Sequence, residues 1–336
     1  MMFHNNFGID LGTSTIKIYD QKKDVITKEK NMIAIRDDEQ VFAIGNEAYE
    51  MFEKTPQNIK ICSPMRNGRI ADVFQAEAVL HTLLNHSESA VGYHPNLFFS
   101  VPVGMTQIEK RAYYAVAHRG KLKKCKIHLI DRPIADALAL GIPIRKTRGS
   151  MIVNMGAQST EISVLADSRV IVSELVPIGG TQFNDAIRSN IRRKNNLQVG
   201  NKTARRLKMA LADMNRGIHE GRKIMGMDCS NGLPRDGIIT ARTINDAIIE
   251  TIRPITDAIM PLLQRTPPQV HTNIRKEGIY LAGGSSRIPN MDKYLSDTLE
   301  CPVQLSTYYD LCTICGLKEL ATHPALQHWT YSATRQ

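Results

Sequence analysis

Long apolar runs are missing from this 336-residue sequence: stretches such as Asn96-Leu-Phe-Phe-Ser-Val-Pro102 fall far short of the roughly 20 residues that a membrane-spanning helix needs. The opening, MMFHNNFGID, also lacks the charged-then-apolar layout of a secretory signal. An exported or membrane-spanning protein is not expected. Cysteine is sparse. Its 6 residues, Cys62, Cys125, Cys229, Cys301, Cys312 and Cys315, are scattered through the chain, which suits reduced thiols in a cytoplasm and excludes a disulfide scaffold. Only Cys312-Thr-Ile-Cys315 has metal-like or redox spacing. With no second such pair and no histidine pair to complete a ligand set, these two read as small apolar residues on a packed helix. Acidic residues are the scarcer charge, 33 against 43 Lys and Arg, and the net +10 favours anionic partners: a nucleotide, a nucleic acid or an acidic leaflet. Also absent are a Gly-Lys-Ser/Thr turn opening a helix and a G-x-G-x-x-G run, which excludes a P-loop and a dinucleotide fingerprint. What remains is a globular chain, 42% hydrophobic and 23% charged, long enough for two domains.

What is present begins with a repeat. Phe7-Gly-Ile-Asp10 is an apolar strand ending in a carboxylate, and after Leu11-Gly12-Thr13-Ser14 the stretch Thr15-Ile-Lys-Ile-Tyr19 alternates with period 2 like a returning strand. Met151-Ile-Val-Asn154, Met155-Gly156-Ala157-Gln158 and Ser159-Thr-Glu-Ile-Ser-Val-Leu165 make a second hairpin with corresponding spacing. The two turns superimpose as Asp/Asn-x-Gly-x-x-Thr/Ser, pairing Asp10 with Asn154, Gly12 with Gly156 and Thr15 with Ser159. One such unit in each half predicts an α/β fold of two similar lobes facing each other across a ligand cleft. Helices are expected at 76–84, at 106–118 behind the capping box Thr106-x-x-Glu109, from Arg132-Pro133 onward, and at 181–194, 202–215 and 241–263. The turn-rich connector 141–149 marks the lobe division. A third glycine turn, Gly283-Gly284-Ser285-Ser286, follows the strand Gly278-Ile-Tyr-Leu-Ala282, where glycine permits close backbone approach to a ligand.

A polyphosphate needs backbone N–H groups and hydroxyls aimed at its oxygens, and Mg²⁺ prefers hard oxygen ligands, commonly carboxylates acting through water. Asp10 with Gly12, Thr13, Ser14 and Thr15 supplies that set, with Asp10 assigned to the metal through water. A turn-capping aspartate is the competing reading, and three glycine turns in matching strand contexts weigh against it.

These segments resemble the actin-like ATPase superfamily, which includes actin, Hsp70-type chaperones and sugar kinases, and within it the MreB-like bacterial actins. The resemblance runs along nearly the whole chain through Gly8-Ile-Asp-Leu-Gly-Thr13, Lys54-Thr-Pro56, Pro64-Met-Arg-Asn-Gly-Arg-Ile-Ala-Asp72, Val101-Pro-Val-Gly-Met-Thr106, Thr203-Ala-Arg-Arg-Leu-Lys208, Gly232-Leu-Pro-Arg235, Thr266-Pro-Pro268 and Gly278-Ile-Tyr-Leu-Ala-Gly-Gly284. It implies an actin-like (ribonuclease H-like) duplicated two-lobe fold with a nucleotide cleft. Lobe boundaries would lie at 1–145 and 146–316, with 317–336 packing back on the first lobe. It further implies ATP and Mg²⁺ as cofactors, with Asn154, Gly156, Ala157, Gln158, Ser159, Gly179, Gly180, Lys208, Gly283, Gly284 and Ser285 joining the first turn in binding nucleotide. Implied partners are further copies of the chain or an MreB paralogue in a filament, the inner face of the cytoplasmic membrane, and the wall-elongation machinery. Membrane contact would fall on the loop 89–94, with Val91 and Tyr93 as its apolar residues.

The sequence departs from the family at chemical positions. Arg132 takes the place of the glutamate that positions the attacking water, and Ser159 occupies the other hydrolysis position. Arginine stays protonated and cannot serve as a base, and loss of a positioned base commonly costs about 10²–10⁴-fold in rate. Asn154 stands where the family carries aspartate, Ala210 where it carries glutamate, and Ser285 where it carries glycine. The expectation is therefore a filament protein that binds ATP with weak or absent hydrolysis. Two other classes compete. A sugar-kinase-branch enzyme needs a catalytic carboxylate and a sugar pocket. A plasmid-segregation-type actin is suggested by the basic run Arg188, Arg192, Arg193, Lys194, Lys202, Arg205, Arg206 and Lys208, although such a run is usually a solvated helix face and nucleic acid is not expected as a partner.

Overall fold

The structure is a computed structural model and describes residues 5–37, 40–86, 94–118, 122–215 and 220–332. The apolar loop residues Val91 and Tyr93 lie outside the described residues. The chain divides into two compact units, one of Met1–Thr147, Leu165–Ser173 and Leu311–Gln336, the other of Arg148–Val164 and Glu174–Asp310.

The first unit opens with β1 (Asn6–Leu11), β2 (Thr15–Asp20) and β3 (Val25–Lys30), followed by β4 (Ile33–Arg36), β5 (Gln40–Ile44), α1 (Asn46–Met51), β6 (Ile59–Cys62), β7 (Met65–Arg66) and β8 (Arg69–Ile70). Then come α2 (Val73–His86), β9 (Asn96–Val101), α3 (Gln107–Ala117), β10 (Lys126–Asp131) and α4 (Arg132–Ala139). Its main sheet runs β10-β9-β1-β2-β3, with β1 antiparallel to β2 and parallel to β9. Strand alternation decides what each face meets. Phe7, Ile9 and Leu11 join Leu80 and Leu84 of α2 and Tyr113 and Val116 of α3 in one buried cluster. Gly8 faces the other way, where a Cβ would stand 2.9 Å from Leu317 Cβ. The expected capping box forms: Thr106 Oγ1 accepts from the Glu109 N–H at 3.3 Å, and Glu109 Oε2 accepts from the Thr106 N–H at 2.7 Å.

After α4 the chain forms β11 (Ser150–Met155), β12 (Thr160–Ala166), β13 (Arg169–Val176), α5 (Gly180–Asn195), β14 (Leu197–Gln198), α6 (Asn201–Leu211), β15 (Gly221–Asp228), β16 (Pro234–Thr240) and α7 (Ala241–Gln264). It continues through α8 (Pro268–Glu277), β17 (Ile279–Ala282), α9 (Met291–Leu299) and β18 (Val303–Leu305). The larger sheet runs β13-β12-β11-β17-β18 and a smaller one β14-β15-β16. α6 stops at Leu211, short of the expected 215, because Asp213 Oδ1 accepts from the Asn215 N–H at 2.8 Å, the side-chain-to-backbone turn with which aspartate competes against helix.

The chain returns to the first unit as α10 (Cys312–Thr322), which packs on α4 and β1. Cys312 is buried and Cys315 half-buried, both as free thiols, in line with the reading of this pair as packing residues. Beyond α10, Tyr331 forms an antiparallel bridge to Leu129 on the edge strand β10, and its hydroxyl donates to Asp131 Oδ1 at 2.9 Å. No described helix is long and apolar enough to cross a membrane.

Candidate functional site

In the first unit the hairpin register sets the chemistry. β1 and β2 pair so that Asp10 lies directly opposite Lys17, and directly opposed side chains on one face meet. Lys17 Nζ donates to Asp10 Oδ2 at 2.7 Å and Ser100 Oγ donates to Oδ1 at 3.1 Å, with Asp10 and Lys17 each only 5% exposed. Burial alone would raise the Asp10 carboxyl. The Lys17 ammonium and then the charge of Arg132 outweigh it and hold the group below its ordinary value. Lys17 and Ser100 were not among the residues expected from the sequence. The signal for Lys17 was available, since a Gly-Thr-Ser turn between two strands already places it across from Asp10.

Above this pair the turn is braced. Gly12 is required by a close approach, because a Cβ there would stand 2.6 Å from the Thr15 carbonyl oxygen and 4.0 Å from Lys17 Nζ. Asn31 Nδ2 donates to the Gly12 carbonyl at 2.8 Å and Ser63 Oγ to the Thr13 carbonyl at 2.9 Å. The Gly68 N–H donates to Thr13 Oγ1 at 3.1 Å, which leaves the hydroxyl proton of Thr13 available to an incoming acceptor. The motif 64–72 therefore works as a buttress for the first turn. Ser14 is exposed.

Arg132 is the first residue of α4, next to Asp131. Burial raises the Asp131 carboxyl while Tyr331 hydrogen-bonds it. That carboxylate is thus engaged by Tyr331.

The second unit repeats the same device. A Cβ on Gly156 would stand 2.8 Å from the Ser159 carbonyl oxygen, the counterpart of Gly12 on Thr15, and the Gly156 N–H donates to that oxygen at 2.9 Å. Around it gather Gly179, Gly180 and Ser285: the Gly180 N–H and Ser285 Oγ both donate to the Gly156 carbonyl, at 3.0 and 2.9 Å. The Thr181 N–H donates to the Ala157 carbonyl at 2.7 Å, and Gln182 Oε1 accepts from the Gly179 N–H at 3.0 Å. The first N–H groups of α5 are therefore engaged within the turn, so Gly179 and Gly180 serve by close approach: a Cβ on Gly179 would stand 2.7 Å from the Gly156 carbonyl oxygen. Gly283, at φ +92°, sits beneath, where a Cβ would meet the Met155 carbonyl oxygen at 2.4 Å and Asn154 Oδ1 at 2.7 Å. Gly284 follows it at the start of a short 3₁₀ turn, and Gln158 lies half-buried between Ala157 and Ser159. Glu161, buried at 4% exposure, occupies the repeat position of Lys17, seven residues after Asn154, and was also not singled out from the sequence.

Lys208 of α6 stands apart from the other basic residues. Its Nζ donates to the Gly180 carbonyl at 2.6 Å, lies 3.3 Å from where a Gly180 Cβ would be, and sits 5.8 Å from the Phe183 ring centroid. Burial, aided by Arg205, pulls this ammonium down to about 7. Among the described residues no carboxylate pairs with it. By contrast Arg188 and Lys194 pair with Asp185 and Asp246 on an exposed face, the ordinary solvated reading of that run.

Each Asp10 oxygen accepts one hydrogen bond, from Lys17 and from Ser100, which leaves further acceptor sites on the carboxylate for a water; among the described residues no group of three or more His, Cys, Asp or Glu is placed to hold a metal by itself.

Comparison with known proteins adds an independent line. A protein-family model described as MreB/Mbl protein matches residues 4–328. The cell shape-determining protein MreB of Escherichia coli K12 is 34% identical over 311 residues, covering 90% of this chain and 89% of that protein. The cell shape-determining protein Mbl of Bacillus subtilis is 29% identical over 318 residues, covering 94% and 95%. Among solved structures, MreB5 of Spiroplasma citri bound to ADP superimposes with a TM-score of 0.90 at 26% identity, covering 96% of this chain and 97% of that one, and the same protein has been solved with AMPPNP.

Proposed function

The chain belongs to the MreB/Mbl family, and from that membership we propose that it binds ATP through the phosphate turns of its two units and assembles into membrane-associated filaments that guide cell shape and lateral wall synthesis, with weak or absent hydrolysis. Its fold is the duplicated α/β, actin-like fold. One observation carries the nucleotide reading: each unit sets an ammonium against a turn glycine, Lys17 beneath Gly12 and Lys208 beside Gly180. Lys17 is balanced by Asp10, whereas the half-buried Lys208 has no paired carboxylate among the described residues, and a polyphosphate supplies the anion that such a cation favours. The nucleotides held by MreB5 agree with that ligand class. Weak hydrolysis follows from Arg132 at the base position and from Asp131 held by Tyr331. Mg²⁺ would accompany the triphosphate, with Asp10 meeting it through water.

For assembly, the hairpin of β15 and β16 offers an exposed apolar stripe. Its register sets Lys223 opposite Ile238 and Met227 opposite Pro234, and Met225, Met227, Leu233 and Ile238 are 70%, 49%, 62% and 65% exposed. Such a patch marks a contact surface, and head-to-tail contacts that do not close make a filament. The test is electron microscopy of the purified chain on anionic lipid, with phosphate release measured on the same samples. Filaments are expected with ATP and not without it, and release well below that of the Escherichia coli relative. Filaments indifferent to nucleotide, or rapid release, would refute the corresponding half. The family match gives no support to the sugar-kinase-branch or segregation readings.

Lys208 makes nucleotide binding pH-dependent. Its free-state value of about 7 means that the bound anion must recruit a proton as pH rises, so affinity falls by up to about tenfold per unit above it. Titration of a fluorescent ATP analogue at pH 7 and pH 9 is expected to show the loss in the parent chain and a flat profile in Lys208→Met.

A further inference from the structure

We propose that the groove between the start of α3 and the segment ending at Ser332 docks an acidic residue of an extended peptide, Lys110 taking its carboxylate and Asp131 its backbone N–H. A hollow of about 730 Å³ has Lys110 and Tyr331 in its wall, and a recess of about 180 Å³ that also holds Asp131 shares both of them. All three residues belong to the first unit, and volumes of this order are those of ligand sites. The fold places the charges. β10 ends in Asp131, and the bridge of Tyr331 to Leu129 brings the phenol hydroxyl to Asp131 Oδ1 at 2.9 Å. Lys110 Nζ, one turn into α3, stands over the Tyr331 ring, 4.7 Å from its centroid, which steadies the ammonium and leaves its donors free. Among the described residues Lys110 has no ion pair, because the adjacent carboxylate, Glu109, is taken by Arg69 and Thr106. Asp131 Oδ2 accepts no hydrogen bond there either. The groove therefore offers one cation over the face of an aromatic ring and one open acceptor at its hydroxyl edge. An acidic residue in an extended chain carries both complements, a single negative charge on the side chain and an N–H on the backbone, with methylenes between them to lie on the ring. A phosphate fits less well: its second charge meets Asp131 instead of a second cation, and it brings no N–H. The excess of Lys and Arg over acidic residues, 43 against 33, draws acidic partners toward the chain.

Trp329, the only tryptophan, lies two residues from Tyr331 and gives the groove a fluorescence signal. The test titrates the whole purified chain, by fluorescence and by calorimetry, with a capped tripeptide holding glutamate between two glycines, with the same peptide carrying glutamine, and with inorganic phosphate. The glutamate peptide is expected to saturate with a dissociation constant on the order of 1 mM, the scale of a small ligand with one charged anchor, and the glutamine peptide to bind about tenfold more weakly. Lys110→Met is expected to bring the glutamate peptide down to the level of the glutamine peptide, and Lys110→Arg to keep the difference. Asp131→Asn is expected to weaken both peptides alike. Equal binding of the two peptides to the parent chain, a preference that survives Lys110→Met, or no saturation by either method would each overturn the proposal. Phosphate that displaces the glutamate peptide at equal concentration would reduce the groove to an unselective anion site and overturn it as well.

Discussion

Asp10→Ala is expected to lower the stability of the nucleotide-free chain by about 3–5 kcal/mol, because removing one partner of a buried pair leaves the other charge uncompensated. Lys17, only 5% exposed beside Asp10, would lose its carboxylate partner. Urea denaturation monitored by circular dichroism measures the loss. The double variant Asp10→Ala/Lys17→Met is expected to recover most of it, since replacing both members by apolar groups is often neutral. A loss below about 1 kcal/mol in the single variant would mean that water reaches the pair as at a surface. The sign with pH follows from the Asp10 carboxyl being held below its ordinary value. The pair stabilises fully above about pH 4, where the unfolded carboxyl is ionised, and that contribution is lost as pH falls through the lower folded-state value. A weakened nucleotide response in Asp10→Ala alone is thus as much a folding defect as a missing ligand contact, and the double variant separates the two.

Gly316→Ala is expected to be the most damaging single methyl group that can be added. A Cβ there would lie 1.7 Å from the Ala135 carbonyl oxygen and 2.5 Å from its carbonyl carbon, and both neighbours are backbone atoms that no rotamer change can move. α10 and α4 must separate, and the buried Thr313-to-Asp136 hydrogen bond of 2.6 Å is strained with them. A loss of about 3 kcal/mol or more is expected, at or beyond the upper end of ordinary overpacking, again read from the denaturation midpoint. The change lies one helix contact away from Arg132, so nucleotide affinity should fall with stability rather than independently of it. Wild-type stability in Gly316→Ala would show that the helices do not pack backbone to backbone here.

The parts of the molecule legible in the sequence were those whose cause is local. Hairpins at Asp10 and Asn154, the capping box of Thr106 and Glu109 and the proline-led start of α4 depend on neighbours a few residues apart, and each formed where expected. The repeat was legible because it reuses one steric requirement, a glycine against the carbonyl three residues on, at Gly12 and Gly156. Distant partners were not. Ser63 and Gly68 brace Thr13 from about fifty residues away, and Ser285 reaches the Gly156 carbonyl from 129 residues away. Lys17 was overlooked for a different reason: a lysine in a strand alternating with isoleucine reads as the solvent-facing partner of a one-sided sheet, whereas here both faces of the strand are covered. Lys208 could be placed at the site, but its separation from the surrounding basic residues is a matter of burial, which a run of charges along two helices does not reveal.

The bridge that Tyr331 makes to Leu129, together with its hydroxyl on Asp131, gives the tail of the chain a mechanical address. Whatever follows Ser332, whether a few residues, a label or a tethered protein, departs from a hook set one residue from Arg132. A label attached there would pull on the edge strand β10 and on Asp131, so the tail is a poor place for an inert tag.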